Sequence, residues 1–161
     1  MTVKEYNQAV NLFSDRIYRF VLKNIRDEER ARDIVQDCYE KLWRNVDNVN
    51  FSKVKSYLFS TAYHTMIDVI RKEQRMTIME DYQLPQDVHF EQYSDIGEVL
   101  DKALALLPEI QRMVVLLRDY EGYSYEEIAK IASLTESQVK VYIYRGRVAL
   151  KKIIGKIEIL A

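Results

Sequence analysis

The chain has 161 residues, 48% of them hydrophobic, and a formal net charge of −1. That length supports one domain or two small ones with a real apolar core, and the near-zero charge excludes a protein that coats nucleic acid by bulk electrostatics. The lone Cys38 excludes an intramolecular disulfide and fits a reducing cytosol. No apolar run approaches the roughly 20 residues that span a bilayer, and the N-terminus lacks a signal-peptide core, so a soluble cytoplasmic protein is expected.

Four glycines and two prolines are too few to punctuate a sheet, so the fold is expected to be all-α. A first helix is predicted from about Val3 to Ile25, with Val10, Phe13, Ile17, Tyr18, Val21 and Ile25 on its apolar face. Asp27 can cap a second helix running to about Val46. Its inner face is Ala31, Ile34, Val35, Cys38, Tyr39, Leu42 and Trp43, and its outer face Asp33, Gln36, Asp37, Glu40 and Lys41. Asp47 to Phe51 breaks the period with turn formers, and Ser52 opens a third helix ending in the basic cluster Arg71, Lys72 and Arg75. Three such helices make a bundle.

From Met76 to about Asp95 there are several acids, a proline and no Lys or Arg, which reads as an interdomain linker. A second cluster then begins: a helix from Ile96 to about Leu106, another with Pro108 in its first turn, and a stop at Gly122. The expected organisation is two separately folded helical domains, 1–75 and 96–161, joined by an acidic linker over 76–95.

Ser124 with Glu127, and Thr135 with Gln138, offer capping boxes for two successive helices separated by a short Ser133-Leu134 turn. Ser133 stands where glycine would close the turn more easily. The last helix carries Val139, Ile143, Gly146 and Leu150 as one buried stripe. Its opposite face shows Ser137, Lys140, Val141, Tyr144 and Arg145. This is the layout of a helix-turn-helix: long donors for phosphates and base edges, beside apolar groups that can meet thymine methyls. An amphipathic terminal helix with a solvated basic face would share the composition but not the paired caps.

Four stretches together carry a family resemblance: Asp33 to Arg44, Lys55 to Arg71, Leu107 to Arg118, and Gly122 to Ala129. In their order and spacing the chain resembles the bacterial extracytoplasmic-function sigma factors of the RNA polymerase sigma-70 family. The resemblance implies that Asp33, Gln36, Asp37 and Glu40 dock on the clamp helices of core RNA polymerase, where carboxylates suit a basic partner. It implies that Asn48, Asn50, Phe51, Tyr57, Tyr63, His64, Arg71 and Arg75 open and read the minus-ten element of promoter DNA, through an aromatic surface and cations. It assigns the minus-thirty-five element to Arg112, Thr135, Ser137, Lys140, Val141, Tyr144 and Arg145, with Arg118 a further candidate for phosphate. An anti-sigma factor, often membrane-bound, is the regulator it implies.

Two residues depart from the family pattern: Ser60 where Arg is common and His64 where Asn is common. They bear on promoter preference. The competing reading is a stand-alone helix-turn-helix regulator whose first bundle senses a ligand or dimerises; it differs in needing no polymerase to bind DNA. The sequence has no glycine-rich phosphate loop, no Cys/His pair and no metal-ligand spacing, so no enzyme, cofactor, metal or small-molecule substrate is expected.

Overall fold

The computed structural model describes residues 1–79 and 96–160. Among the described residues the regular elements are all helical: α1 (Val3–Ile25), α2 (Glu28–Arg44), a 3-10 turn (Phe51–Lys53), α3 (Val54–Met79), α4 (Ile96–Ala105), α5 (Glu109–Val115), α6 (Tyr125–Ala132) and α7 (Glu136–Leu160). A π turn over Leu116–Tyr120 extends α5. None of these helices is long and apolar enough to cross a membrane. The expected linker lies almost wholly outside the described residues, and α3 runs past the expected boundary at Arg75 to Met79.

The helix ends follow their local chemistry. The Asp27 carboxylate accepts from the Arg30 N–H at 3.1 Å and starts α2, satisfying an amide with no intrahelical partner. Thr2 and Glu5 form a full capping box on α1. Pro108 occupies the cap position itself, one step earlier than expected, and Gly122 adopts φ 76° where the chain turns toward α6.

α1, α2 and α3 pack as the expected bundle around Ile17, Val21, Ile34, Leu42, Leu58 and Met66, all buried. α5, α6 and α7 surround Met113, Leu117, Ile128, Val139 and Ile143. The two apolar centres touch, so the buried residues of both form one contiguous cluster. The junction is made where α3 meets α6 and where α1 meets α4 and α5. Phe59 lies at its middle, fully buried, with ring centroids 5.3 Å from Phe20 and 5.6 Å from Tyr123. Around that aromatic stack the Arg112 Nε donates to Asn24 Oδ1 at 2.8 Å, and Lys23 pairs with Asp101 at 2.8 Å. Helices α1–α3 form the first lobe and α4–α7 the second.

Trp43 also departs from the sequence reading. It is 49% exposed, not on the inner face of α2, and its indole meets the Tyr6 ring edge-on at 5.1 Å.

Candidate nucleic-acid interface

The helix-turn-helix is built by caps and one close approach. The Ser124 hydroxyl accepts from the Glu127 N–H at 3.1 Å and starts α6; the cap bond is made by Ser124. Thr135 and Gln138 form the expected full box, with Thr135 N–H donating to Gln138 Oε1 at 2.9 Å and Gln138 N–H to Thr135 Oγ1 at 3.1 Å. Between them Ser133 adopts φ 55°, the left-handed conformation that costs a residue with a Cβ about 1–2 kcal/mol. Gly146 then lets α7 lie close to α5: a Cβ there would stand 2.7 Å from Val115 Cγ2. Arg147 completes the brace, its guanidinium donating to both Asp119 carboxylate oxygens at 3.1 and 2.6 Å. That pairing holds the Arg147 pKa above its ordinary value.

With Val139, Ile143 and Gly146 buried, the opposite face of α7 points outward. Tyr144 is 70% exposed and Val141 44%, and Thr135, Ser137, Lys140 and Arg145 are exposed with them. Lys140 is within 3.6 Å of Glu136, an exposed pair of little energetic weight that a phosphate can replace. Such a surface can grip a duplex backbone and reach base edges.

Arg112 does not belong to that surface, which corrects its reading as a phosphate contact. It is 6% exposed, and its guanidinium donates to Asn24 and to the Leu107 carbonyl at 3.3 Å. Burial lowers its pKa, against the pull of Glu109. Arg118 likewise donates to the Tyr123 carbonyl at 2.9 Å and lies over the Tyr125 ring. Both arginines hold the second lobe together or to its neighbour.

The candidates on the first lobe divide. Asn48 and Asn50 are exposed in the loop, Phe51 is half-buried beside them, and Arg71 and Arg75 are exposed near the end of α3 with Asp68 and Lys72. Tyr57 is half-buried, accepting from Asn45 Nδ2 at 3.1 Å. Tyr63 is only 3% exposed, so it is not an open stacking platform in this arrangement. Burial raises its phenol pKa, with Arg71 opposing and Tyr142 of α7 adding. His64 is half-buried, its ring edge-on to Tyr63 and its Nε2 3.3 Å from the Ser133 hydroxyl. The second lobe therefore covers part of the α3 face.

The α2 residues Asp33, Gln36, Asp37 and Glu40 are all exposed along one stripe. Trp43 continues that stripe by one turn, at i+3 from Glu40. Sequence periodicity missed it because it lies at the seam between the two faces. Its placement leaves an exposed indole beside the exposed carboxylates. No cluster of His, Cys, Asp and Glu among the described residues could hold a metal. Cys38 is fully buried, and burial pushes its thiol up to about 12.

Comparisons with known proteins agree on both lobes. The family described as "Sigma-70 region 2" matches residues 9–76, and that described as "Sigma-70, region 4" matches residues 97–150. The ECF RNA polymerase sigma factor SigM of Bacillus subtilis is 28% identical, with 97% of each chain covered. SigX of the same organism, also an ECF RNA polymerase sigma factor, is 31% identical over 84% of this chain and 76% of its own. Among solved structures, the sigma factor RpoE in complex with the anti-sigma factor NepR from Bartonella quintana aligns with a TM-score of 0.80 and 26% identity. That match covers 95% of this chain and 98% of the other.

Proposed function

The chain belongs to the extracytoplasmic-function sigma factors of the RNA polymerase sigma-70 family, and from that premise we propose how its surfaces divide the work. As a sigma factor it binds core RNA polymerase and directs initiation at specific promoters. The stand-alone regulator is not favoured, since residues 9–76 match the family described as "Sigma-70 region 2".

The exposed stripe Asp33, Gln36, Asp37 and Glu40 docks on the clamp helices of core polymerase, with Trp43 as the apolar anchor at its end. Carboxylates steer and orient a basic partner, and an exposed indole supplies desolvated contact area. Asn48, Asn50, Phe51, Tyr57, Arg71 and Arg75 hold the minus-ten element, joined by Tyr63 and His64 once the second lobe moves off α3. Stacking on aromatic faces holds an unpaired base and cations neutralise the displaced phosphates. The α7 face of Ser137, Lys140, Val141, Tyr144 and Arg145 reads the minus-thirty-five element as duplex, with Thr135 at its entry. The segments 1–75 and 96–161 act as the two functional units and 76–95 as their connector. The protein works in the cytoplasm with polymerase and needs no catalysis of its own. An anti-sigma factor is its regulator, by likeness to the RpoE–NepR complex.

The observation that carries this reading is the outward α7 face, on a helix-turn-helix chain whose other lobe presents an exposed acidic stripe. The experiment is promoter binding with and without core enzyme. Sequence-specific binding and opening should require core. Tight binding to promoter duplex by the protein alone, with no co-purifying polymerase, would favour the stand-alone regulator instead.

A further inference from the structure

We propose that Ser60, His64 and Ser133 form a latch with which the free chain closes on itself, covering the α3 face that handles separated promoter DNA while leaving the α7 face open. The proposal rests on the sigma-factor reading for what the covered face does, but not for the closure itself.

Both polar contacts of the latch fall on one spot, the C-terminal end of α6. The Ser60 hydroxyl donates to the Ile131 carbonyl at 3.0 Å. That carbonyl belongs to the last turn of a helix, where no intrahelical amide remains to pair with it. A side chain of the first lobe thus completes the capping of a helix in the second. One turn further along α3, His64 Nε2 lies 3.3 Å from the hydroxyl of Ser133, the residue immediately after α6. A helix C-terminus carries partial negative charge, which suits donors approaching it.

These contacts give a shared physical account of three residues that otherwise look ill-chosen. By the resemblance, Ser60 and His64 stand where Arg and Asn are common, and Ser133 occupies a left-handed turn position at φ 55° that glycine would take without strain. Glycine there would leave His64 without its partner, and a long arginine at position 60 would overfill a contact made by a hydroxyl. Each choice exchanges local ease for a bond between lobes. Tyr123 plugs the same junction, its ring against Phe59 with the Lys55 ammonium 4.8 Å from the ring centroid.

The consequence is asymmetric. In the closed arrangement Tyr63 is 3% exposed and His64 half-buried, whereas Tyr144 is 70% exposed on α7. A latched chain can therefore present its duplex-reading face but cannot offer its complete strand-holding face. Core polymerase must work against the latch, which reduces apparent affinity for the minus-ten strand in proportion to the fraction open.

Two measurements test this. In the free chain, a Tyr63→Cys thiol should be labelled slowly, and about 25-fold faster when Ser60→Ala and Ser133→Gly are added, roughly fivefold for each lost hydrogen bond. Cys38 is buried with a raised thiol pKa and serves as the unreactive background. In holoenzyme, a Ser60→Cys/Ser133→Cys chain joined by a reducible bis-thiosulfonate linker should bind minus-thirty-five duplex as its reduced form does. It should lose binding to fork DNA carrying a single-stranded minus-ten element, and regain it on reduction. Equal labelling rates with and without the Ser60 and Ser133 changes, or equal fork binding by linked and reduced forms, would overturn the latch. Failure of the reduced form to bind fork DNA or to initiate with core would instead overturn the sigma-factor reading of α3, with the labelling rates still deciding closure.

Discussion

Replacing Gly146 with Ala tests how α7 is set against α5. The new Cβ would lie 2.7 Å from Val115 Cγ2 and 3.4 Å from the Gln111 carbonyl oxygen. Val115 is 2% exposed, and a β-branched side chain in a helix has one strongly preferred rotamer, so its methyl cannot swing aside cheaply. Overpacking of this kind costs about 1–3 kcal/mol. Alanine returns about 1 kcal/mol over glycine inside a helix. The net expectation is a loss of roughly 1 kcal/mol, with α7 displaced enough to weaken minus-thirty-five duplex binding. In a Val115→Ala background the colliding methyl is gone, and Gly146→Ala should there stabilise by up to about 1 kcal/mol. Urea unfolding of the four chains of this cycle gives the coupling directly, expected at about 1–3 kcal/mol. A Gly146→Ala chain as stable as its parent, with no coupling to Val115, would refute the close packing that aims the recognition helix.

Three further outcomes are expected. Arg145→Ala should weaken duplex binding by holoenzyme and lower the slope of log K against log salt by about 0.9 if one phosphate contact is lost; an unchanged slope would remove Arg145 from the backbone contacts. Asp37→Ala should reduce affinity for core polymerase, and Trp43→Ala should do so by about 2 kcal/mol, close to thirtyfold, as for a central aromatic anchor; duplex binding by the second lobe should be untouched in both, and a competition assay for core reads the difference. Glu121→Gln addresses pH: burial raises the Glu121 pKa, although Arg16, Lys55 and Arg19 pull it down. The folded state therefore holds that proton more tightly than the unfolded chain, so this group favours folding below the unfolded value near 4.3 and loses that contribution as pH rises through the folded one. The Gln variant should have the higher Tm near neutral pH, and the difference should shrink toward about pH 4; a variant less stable than the parent at neutral pH would mean the three cations outweigh burial.

How much was legible beforehand depends on whether a residue's environment is set within its own helix or by another. The stripe Val139, Ile143 and Gly146 repeats with the helical period, so both the buried and the outward faces of α7 could be read from the chain. Asp27 and Thr135 announce helix starts because their side chains satisfy amides only a few residues away. Trp43 could not be placed this way: it lies at the edge of the apolar stripe of α2, and its neighbour Tyr6 comes from a different helix. Arg112 looked like a cation for phosphate because nothing local reveals that Asn24, far away in sequence, waits to receive it. The contact between the two cores is hidden for the same reason. Phe59 and Tyr123 each fit the apolar pattern of their own lobe, and periodicity does not say which faces of separate lobes meet. Ser60 and His64 stood out as departures from the family pattern, but their partners on α6 became visible only with the lobes in contact.

Transcription in vitro from genomic fragments with purified core RNA polymerase, with and without this protein, followed by mapping of the start sites, decides whether the chain acts as a sigma factor. Transcripts that begin at discrete positions downstream of a shared pair of sequence elements, and only when the protein is added, are the expected result. Identical transcript patterns with and without it, alongside promoter binding that needs no polymerase, would contradict the account.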